Sequence, residues 1–167
     1  MTNSFHATPY DVSAKGFYFS TYEQWVERAA KHRNDYGEPV EEYEIQFIDG
    51  DSYELFNAIG VNQANLERWF TEFEELEGED RIKIIYLLDH AGYNLENALD
   101  NIDDVSLFEG SAKEYVYDFI DSTGLLDQIP EHLRFYFDFD AFTRDMLLSG
   151  DITEVTINNT NYVAWSI

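Results

Sequence analysis

The chain has 167 residues and a net charge of −24, from 34 Asp and Glu against 10 Lys and Arg, and 44% of it is hydrophobic. Its 13 Phe, 12 Tyr and 3 Trp set it apart from disordered acidic proteins, which lack the aromatics to build a core. The charge excludes direct nucleic-acid binding, which needs clustered Lys and Arg; the absence of Cys excludes disulfides and thiolate metal sites; and no run of about 18 apolar residues exists to span a membrane.

In chain order, Met1 to Tyr10 shows no basic segment followed by an apolar run. No secretory signal is expected there, which places the protein in the cytoplasm. Gly16-Phe17-Tyr18-Phe19 predicts an early strand. Thr21 predicts an N-cap, with Trp25, Val26 and Ala29 on one face of a helix ending near Asn34. Tyr43, Ile45 and Phe47 alternate with Glu44 and Gln46 as in a strand, and Asp49-Gly50 follows as a turn. From Asn62 the pattern turns helical: Leu66, Trp69, Phe70, Phe73 and Leu76 form one apolar stripe, with Gly78 as its stop. Ile82, Ile85, Tyr86 and Leu88 predict a second helix closed near Gly92, and Asn94, Leu95, Ala98 and Leu99 a short third.

Ser111 with Glu114 matches a capping box, followed by the apolar face Tyr115, Val116, Phe119 and Ile120 and a stop at Gly124. Pro130 suits a first helical turn. Phe142, Met146 and Leu147 mark a helix ending at Gly150. Residues 152–157 and 162–167, around Asn158-Asn159-Thr160-Asn161, predict a β-hairpin. The class is α+β, in three small abutting domains: an α+β unit over 1–60, a helical unit over 61–103 and a second α+β unit over 104–167.

Little in the sequence points to chemistry. His6, His32, His90 and His132 show no H-x-x-x-H or H-E-x-x-H spacing, and no P-loop, G-x-G-x-x-G or G-x-S-x-G occurs. The stretch from Asp49 to Glu54 departs from a calcium loop at Tyr53 and at Glu54, where the motif needs an oxygen ligand and a glycine. Paired carboxylates of the glycosidase kind are guaranteed by chance among 34 acids. No catalytic residue, metal site or cofactor is expected. The Trp69-Phe70-Phe73 stripe reads as core, with a partner-binding ligand as the alternative. The aromatic run Phe135–Phe142 reads as core or as a dimer interface.

The charge is the informative feature. Residues 1–34 carry 3 acids and 4 bases, residues 35–80 carry 15 acids and one base, and residues 84–167 carry 16 acids and 3 bases. The acids thus run through folding sequence rather than forming a tail. Duplex DNA carries one charge per about 1.7 Å, so 24 charges match roughly 40 Å of duplex. A basic partner surface is expected. The carboxylates placed to imitate phosphates are Glu41, Glu42, Asp49, Asp51, Glu67, Glu72, Glu74, Glu75, Glu77, Glu79, Asp80, Asp103 and Asp104. Distributed mimicry predicts that any single Glu→Gln change is nearly silent. Histone-like chaperoning and general binding of basic partners need the same charge with looser geometry. Halophilic adaptation gives acidic surfaces too, with fewer large aromatics.

Thr123-Gly124-Leu125-Leu126-Asp127-Gln128-Ile129-Pro130, followed by Tyr136-Phe137-Asp138-Phe139-Asp140-Ala141-Phe142-Thr143-Arg144-Asp145, resembles the antirestriction motif of the ArdA proteins. That motif opens on a TGLL-x-x-VP pattern and continues as YFDYEAYARDL. Ile129 stands in place of Val, and Gly16-Phe17-Tyr18-Phe19 lacks the Trp of the family's Gly-x-Trp-Phe segment. The resemblance implies an elongated, curved, three-domain mimic of bent DNA, carried on mobile genetic elements and acting in the bacterial cytoplasm. It implies a homodimer formed through the C-terminal domain, with Phe137, Phe139 and Phe142 holding that domain or its dimer contact. It also implies a target, the DNA-binding groove of the methyltransferase core of type I restriction–modification enzymes.

Overall fold

Phe5 and Ala7 alternate with polar neighbours along β1 (Ser4–Pro9), and both are fully buried. This strand is central in the first sheet. In the computed structural model, which describes residues 2–166, the antiparallel order is β2 (Phe17–Phe19), β1, β3 (Tyr43–Asp49). Phe5 pairs across with Phe19 on one side and Phe47 on the other. Helix α1 (Tyr22–Lys31) is capped by the Thr21 hydroxyl, which accepts from the Gln24 amide. It turns Trp25 inward. Val26, expected on the same face, is exposed, because it lies about 100° round the helix from Trp25. Helix α2 (Tyr53–Ile59) buries Leu55 and Phe56 and closes on Gly60 in the left-handed region.

The apolar stripe from Leu66 forms as expected, with an irregularity. Helix α3 (Leu66–Arg68) continues as a π-helical turn over Trp69–Phe73, where the Glu74 amide donates to the Trp69 carbonyl five residues back. Trp69 lies at the centre of this core: its ring is 5.4 Å from Phe56 and 6.3 Å from Phe5, and Phe70 meets Phe5 at 5.4 Å. Gly78 does not stop this helix. It opens α4 (Gly78–Ile85) at φ +65°, and α4 runs into a second π-helical turn, Tyr86–His90.

The chain divides into two compact units, Met1–Arg81 and Ile82–Ile167. The division falls inside the stretch 61–103 that the sequence sets apart as a helical unit. Its physical origin in the first unit is plain: Leu66, Trp69 and Phe73 are buried in that unit's aromatic core.

The second unit contains α5 (Leu95–Asp100), β4 (Val105–Glu109), α6 (Ala112–Thr123), α7 (Glu131–Arg134), α8 (Phe139–Ser149), β5 (Thr153–Ile157) and β6 (Thr160–Ser166). The antiparallel order is β4-β6-β5. The hairpin turn is tighter than expected: Ile157 pairs with Thr160, leaving Asn158 and Asn159 at φ 51° and 61°. These are the angles of a type I′ turn, which Asn tolerates. The capping box at Ser111 forms in full, and Gly124 ends α6 in the left-handed region. Ala112, Tyr115, Val116, Ile120, Ile152 and Val163 make the core. Leu87, Ala98, Val105 and Ala164 make a second, smaller one.

Candidate functional site

Polarity and local geometry set where the acids point. Of the thirteen singled-out carboxylates, eleven belong to the unit Met1–Arg81 and two, Asp103 and Asp104, to the unit Ile82–Ile167. Twelve are exposed, and Glu74 alone is half-buried. Glu41 and Glu42 lead into β3, and Asp49 ends it. Glu67 lies in the first turn of α3, Glu79 and Asp80 in the first turn of α4, and Asp103 and Asp104 in a 3-10 turn over Ile102–Asp104. Acids in a first turn also complement the helix dipole, so Glu79 and Asp80 have a local stabilising role. Glu72 accepts from Arg68 Nε at 2.7 Å, and that guanidinium stands 5.5 Å over the Phe73 ring.

Glu74 does a different job. Its Oε1 accepts from Asn3 Nδ2 at 3.2 Å, and the same amide donates to the Ser52 hydroxyl at 3.3 Å. Burial pushes its carboxyl above the ordinary range, the Asn3 hydrogen bond pulls it back in part, and Glu75 adds to the rise. Gly50, at φ +132°, lets the chain pass this network, since a Cβ there would collide with the Asn3 side chain. A carboxyl raised in the folded state is a charge that folding disfavours: the penalty is present above its folded pKa and vanishes as pH falls through it. Glu74→Gln is therefore expected to raise the thermal midpoint near pH 7, a gain that disappears as the pH falls through the carboxylate range. A midpoint lowered at neutral pH would show that the charge itself holds Asn3.

The antirestriction-like segment resolves into structural roles. Leu125 and Leu126 pack against the core of the second unit, as do Phe137, Phe139 and Phe142. Those three Phe are half-buried within their own chain, with Phe137 5.0 Å from Phe139 and 5.6 Å from Phe142. Pro130 occupies the N-cap position of α7. Asp138 caps α8, accepting from the Ala141 amide at 2.9 Å, and Asp140 pairs with Lys113 at 2.7 Å. Arg144 and Asp145 form an exposed pair at 3.4 Å.

Arg134, not singled out by the sequence, ties the segment together. It pairs with Asp127 at 3.0 Å and donates from Nε to the Ile129 carbonyl at 3.0 Å. Its signal in the sequence is only that it is a rare cation in an acidic stretch. Phe135 and Tyr136, within the aromatic run, are 91% and 77% exposed.

A family model described as antirestriction protein (ArdA) matches residues 13–160. The chain belongs to the ArdA family. No curated protein matches it. Membership gives an antirestriction role, and with it an interaction with restriction–modification enzymes. In this ArdA chain the segment from Thr123 to Asp145 runs from the last residue of α6 through α7 and into α8. Among the described residues, no group of three or more His, Asp or Glu is placed to hold a metal ion, and no helix is long and apolar enough to cross a membrane.

Proposed function

We propose that this ArdA chain inhibits a type I restriction–modification enzyme by occupying the DNA groove of its methyltransferase core, with carboxylates standing where the duplex would place phosphates. The observation that carries this reading is the exposure of twelve of the thirteen singled-out acids, on helices, strands and the turns between them, in a protein with net charge −24. Spaced charges on a folded surface cost no ordering when a partner arrives, which an acidic tail cannot match. Long-range attraction speeds encounter with a basic groove and weakens with salt. No bond is made or broken by this chain: inhibition is competitive occupancy. Homodimerisation, action in the cytoplasm of a bacterial host and carriage on a mobile element belong to the same proposal.

The test is binding to a purified, DNA-free methyltransferase core across a range of salt, with and without competing duplex. Salt-weakened binding that duplex displaces is the expected result. Binding indifferent to duplex, or equal affinity for unrelated basic proteins, would replace mimicry with general binding of basic partners.

A further inference from the structure

A carboxylate copy of a phosphate array competes at best on equal terms with DNA, and a cell offers about 10⁶–10⁹ competing nonspecific sites. An inhibitor that works by occupancy therefore needs contacts beyond charge. The first unit carries a candidate for them at its loops.

Two loops, residues 10–14 and 33–38, are bonded to each other through Asp11 and Asn34. Asp11 Oδ1 accepts from the Ser13 hydroxyl at 2.6 Å and from the Ser13 amide at 2.9 Å, and its Oδ2 accepts from Asn34 Nδ2 at 2.9 Å. These bonds, the Ser13 hydroxyl first, hold its carboxyl below the usual range. Asn34 Oδ1 accepts from the amides of Tyr36 and Glu38, and the Asp35 amide donates to the Ser13 carbonyl at 2.9 Å. Gly37, at φ +83°, completes the turn. This bonded pair of loops presents three apolar side chains to solvent: Tyr36 at 82% exposure, Tyr10 at 67%, and Val12 fully exposed. Neither tyrosine hydroxyl has a hydrogen bond among the described residues. Asp35, Glu38, Glu41 and Glu42, all exposed, flank them.

We infer that these loops are an aromatic anchor, with Tyr36 and Tyr10 stacking against arginine side chains of the enzyme's DNA-binding surface. The inference rests on the mimicry reading and adds to it the contacts that carry affinity beyond charge. The flanking acids select a cationic partner, and a guanidinium combines charge with a flat face that packs on a tyrosine ring. The hydrogen bonds hold the backbone that carries the two tyrosines, so binding has only two side-chain torsions per ring left to order, and tyrosine is enriched among residues that dominate interface energetics. Asp11 in this account is a positioning residue: its carboxylate is committed to the loops.

The experiment compares the wild-type chain, Tyr36→Ala, Tyr10→Ala and the triple variant Glu38→Gln/Glu41→Gln/Glu42→Gln for binding to the same methyltransferase core across salt. Tyr36→Ala is expected to lose about tenfold or more in affinity with an unchanged salt slope. The triple variant is expected to flatten the slope and lose less at high salt. If the wild type binds in a salt-dependent way while both tyrosine variants stay within about twofold of it, the anchor is overturned and mimicry stands. If the wild type does not bind the core at all, the mimicry reading falls and the anchor with it. Circular dichroism of each variant accompanies the titration to show that it folds, and rescue by Tyr36→Phe distinguishes stacking from a hydroxyl contact.

Discussion

Trp69→Ala is expected to lower the stability of the unit Met1–Arg81 by about 3–5 kcal/mol. The indole is fully buried, and its neighbours Phe5 and Phe56 approach it edge-on from β1 and α2. Removing it opens a cavity that the sheet and the helices line together, so the vacancy cannot collapse by moving one side chain. Small domains hold only about 5–15 kcal/mol in total. Two details sharpen the expectation. The indole Nε1 has no acceptor among the described residues, so Trp69→Phe sacrifices no hydrogen bond and is expected to cost much less than the alanine change. The π-helical turn that begins at Trp69 fixes where the ring points, so the loss is felt by strands far away in sequence. Urea unfolding followed by the near-ultraviolet circular dichroism of the aromatic cluster measures both. An alanine variant as stable as the phenylalanine one would remove Trp69 from the centre of that core.

Converting Glu67, Glu72, Glu75, Glu77, Glu79 and Asp80 together to their amides is expected to weaken inhibition about a hundredfold while leaving the fold intact. Each exposed charge contributes about 0.5 kcal/mol to a partner, so six give about 3 kcal/mol, and 1.4 kcal/mol is one decade. A single change from this set costs about twofold by the same reasoning. The folded state has compensating effects. Losing the Arg68–Glu72 pair and the acids in the first turn of α4 removes a few tenths of a kcal/mol each, and relief of like-charge repulsion offsets it. Protection of DNA in a restriction assay, titrated beside the urea midpoint, separates the two. A folded six-fold variant that still inhibits within about threefold of the parent would move the contact surface away from residues 67–80.

What could be read from the sequence was what lies close together in it. The capping box of Ser111 and Glu114, the Thr21 cap and the hairpin after Ile152 each involve residues within a few positions of one another. Strands β1 and β4 had no such signal. Only Phe5 and Ala7 face inward in β1, and its partner β3 lies about forty residues on; β4 pairs with β6 more than fifty residues away. The short helix α2 shows two buried residues in two turns, too little for a period to register.

The acids divide in the same way. Exposure of twelve of them follows from polarity alone, whereas the half-burial of Glu74 depends on Asn3 and Ser52, which only the fold brings near. The run from Phe135 to Phe142 looks uniform as a sequence. The fold sorts it, packing Phe137, Phe139 and Phe142 against the core and leaving Phe135 and Tyr136, between the end of α7 and the start of α8, in solvent.

The strand order β4-β6-β5 bears on the birth of the protein. Strand β6 is the middle member of its sheet, yet it is the last of the three to leave the ribosome. Until residues 160–166 have emerged, β4 and β5 have no partner between them, and Val105 and Val155, both buried in the finished sheet, face water. The first unit is under no such delay, since every strand of its sheet lies within the first 49 residues. During translation the two units are thus expected to mature in sequence, the first while the chain is still tethered and the second only after its closing strand is free, and a nascent chain stalled before residue 160 is a natural substrate for chaperones and proteases.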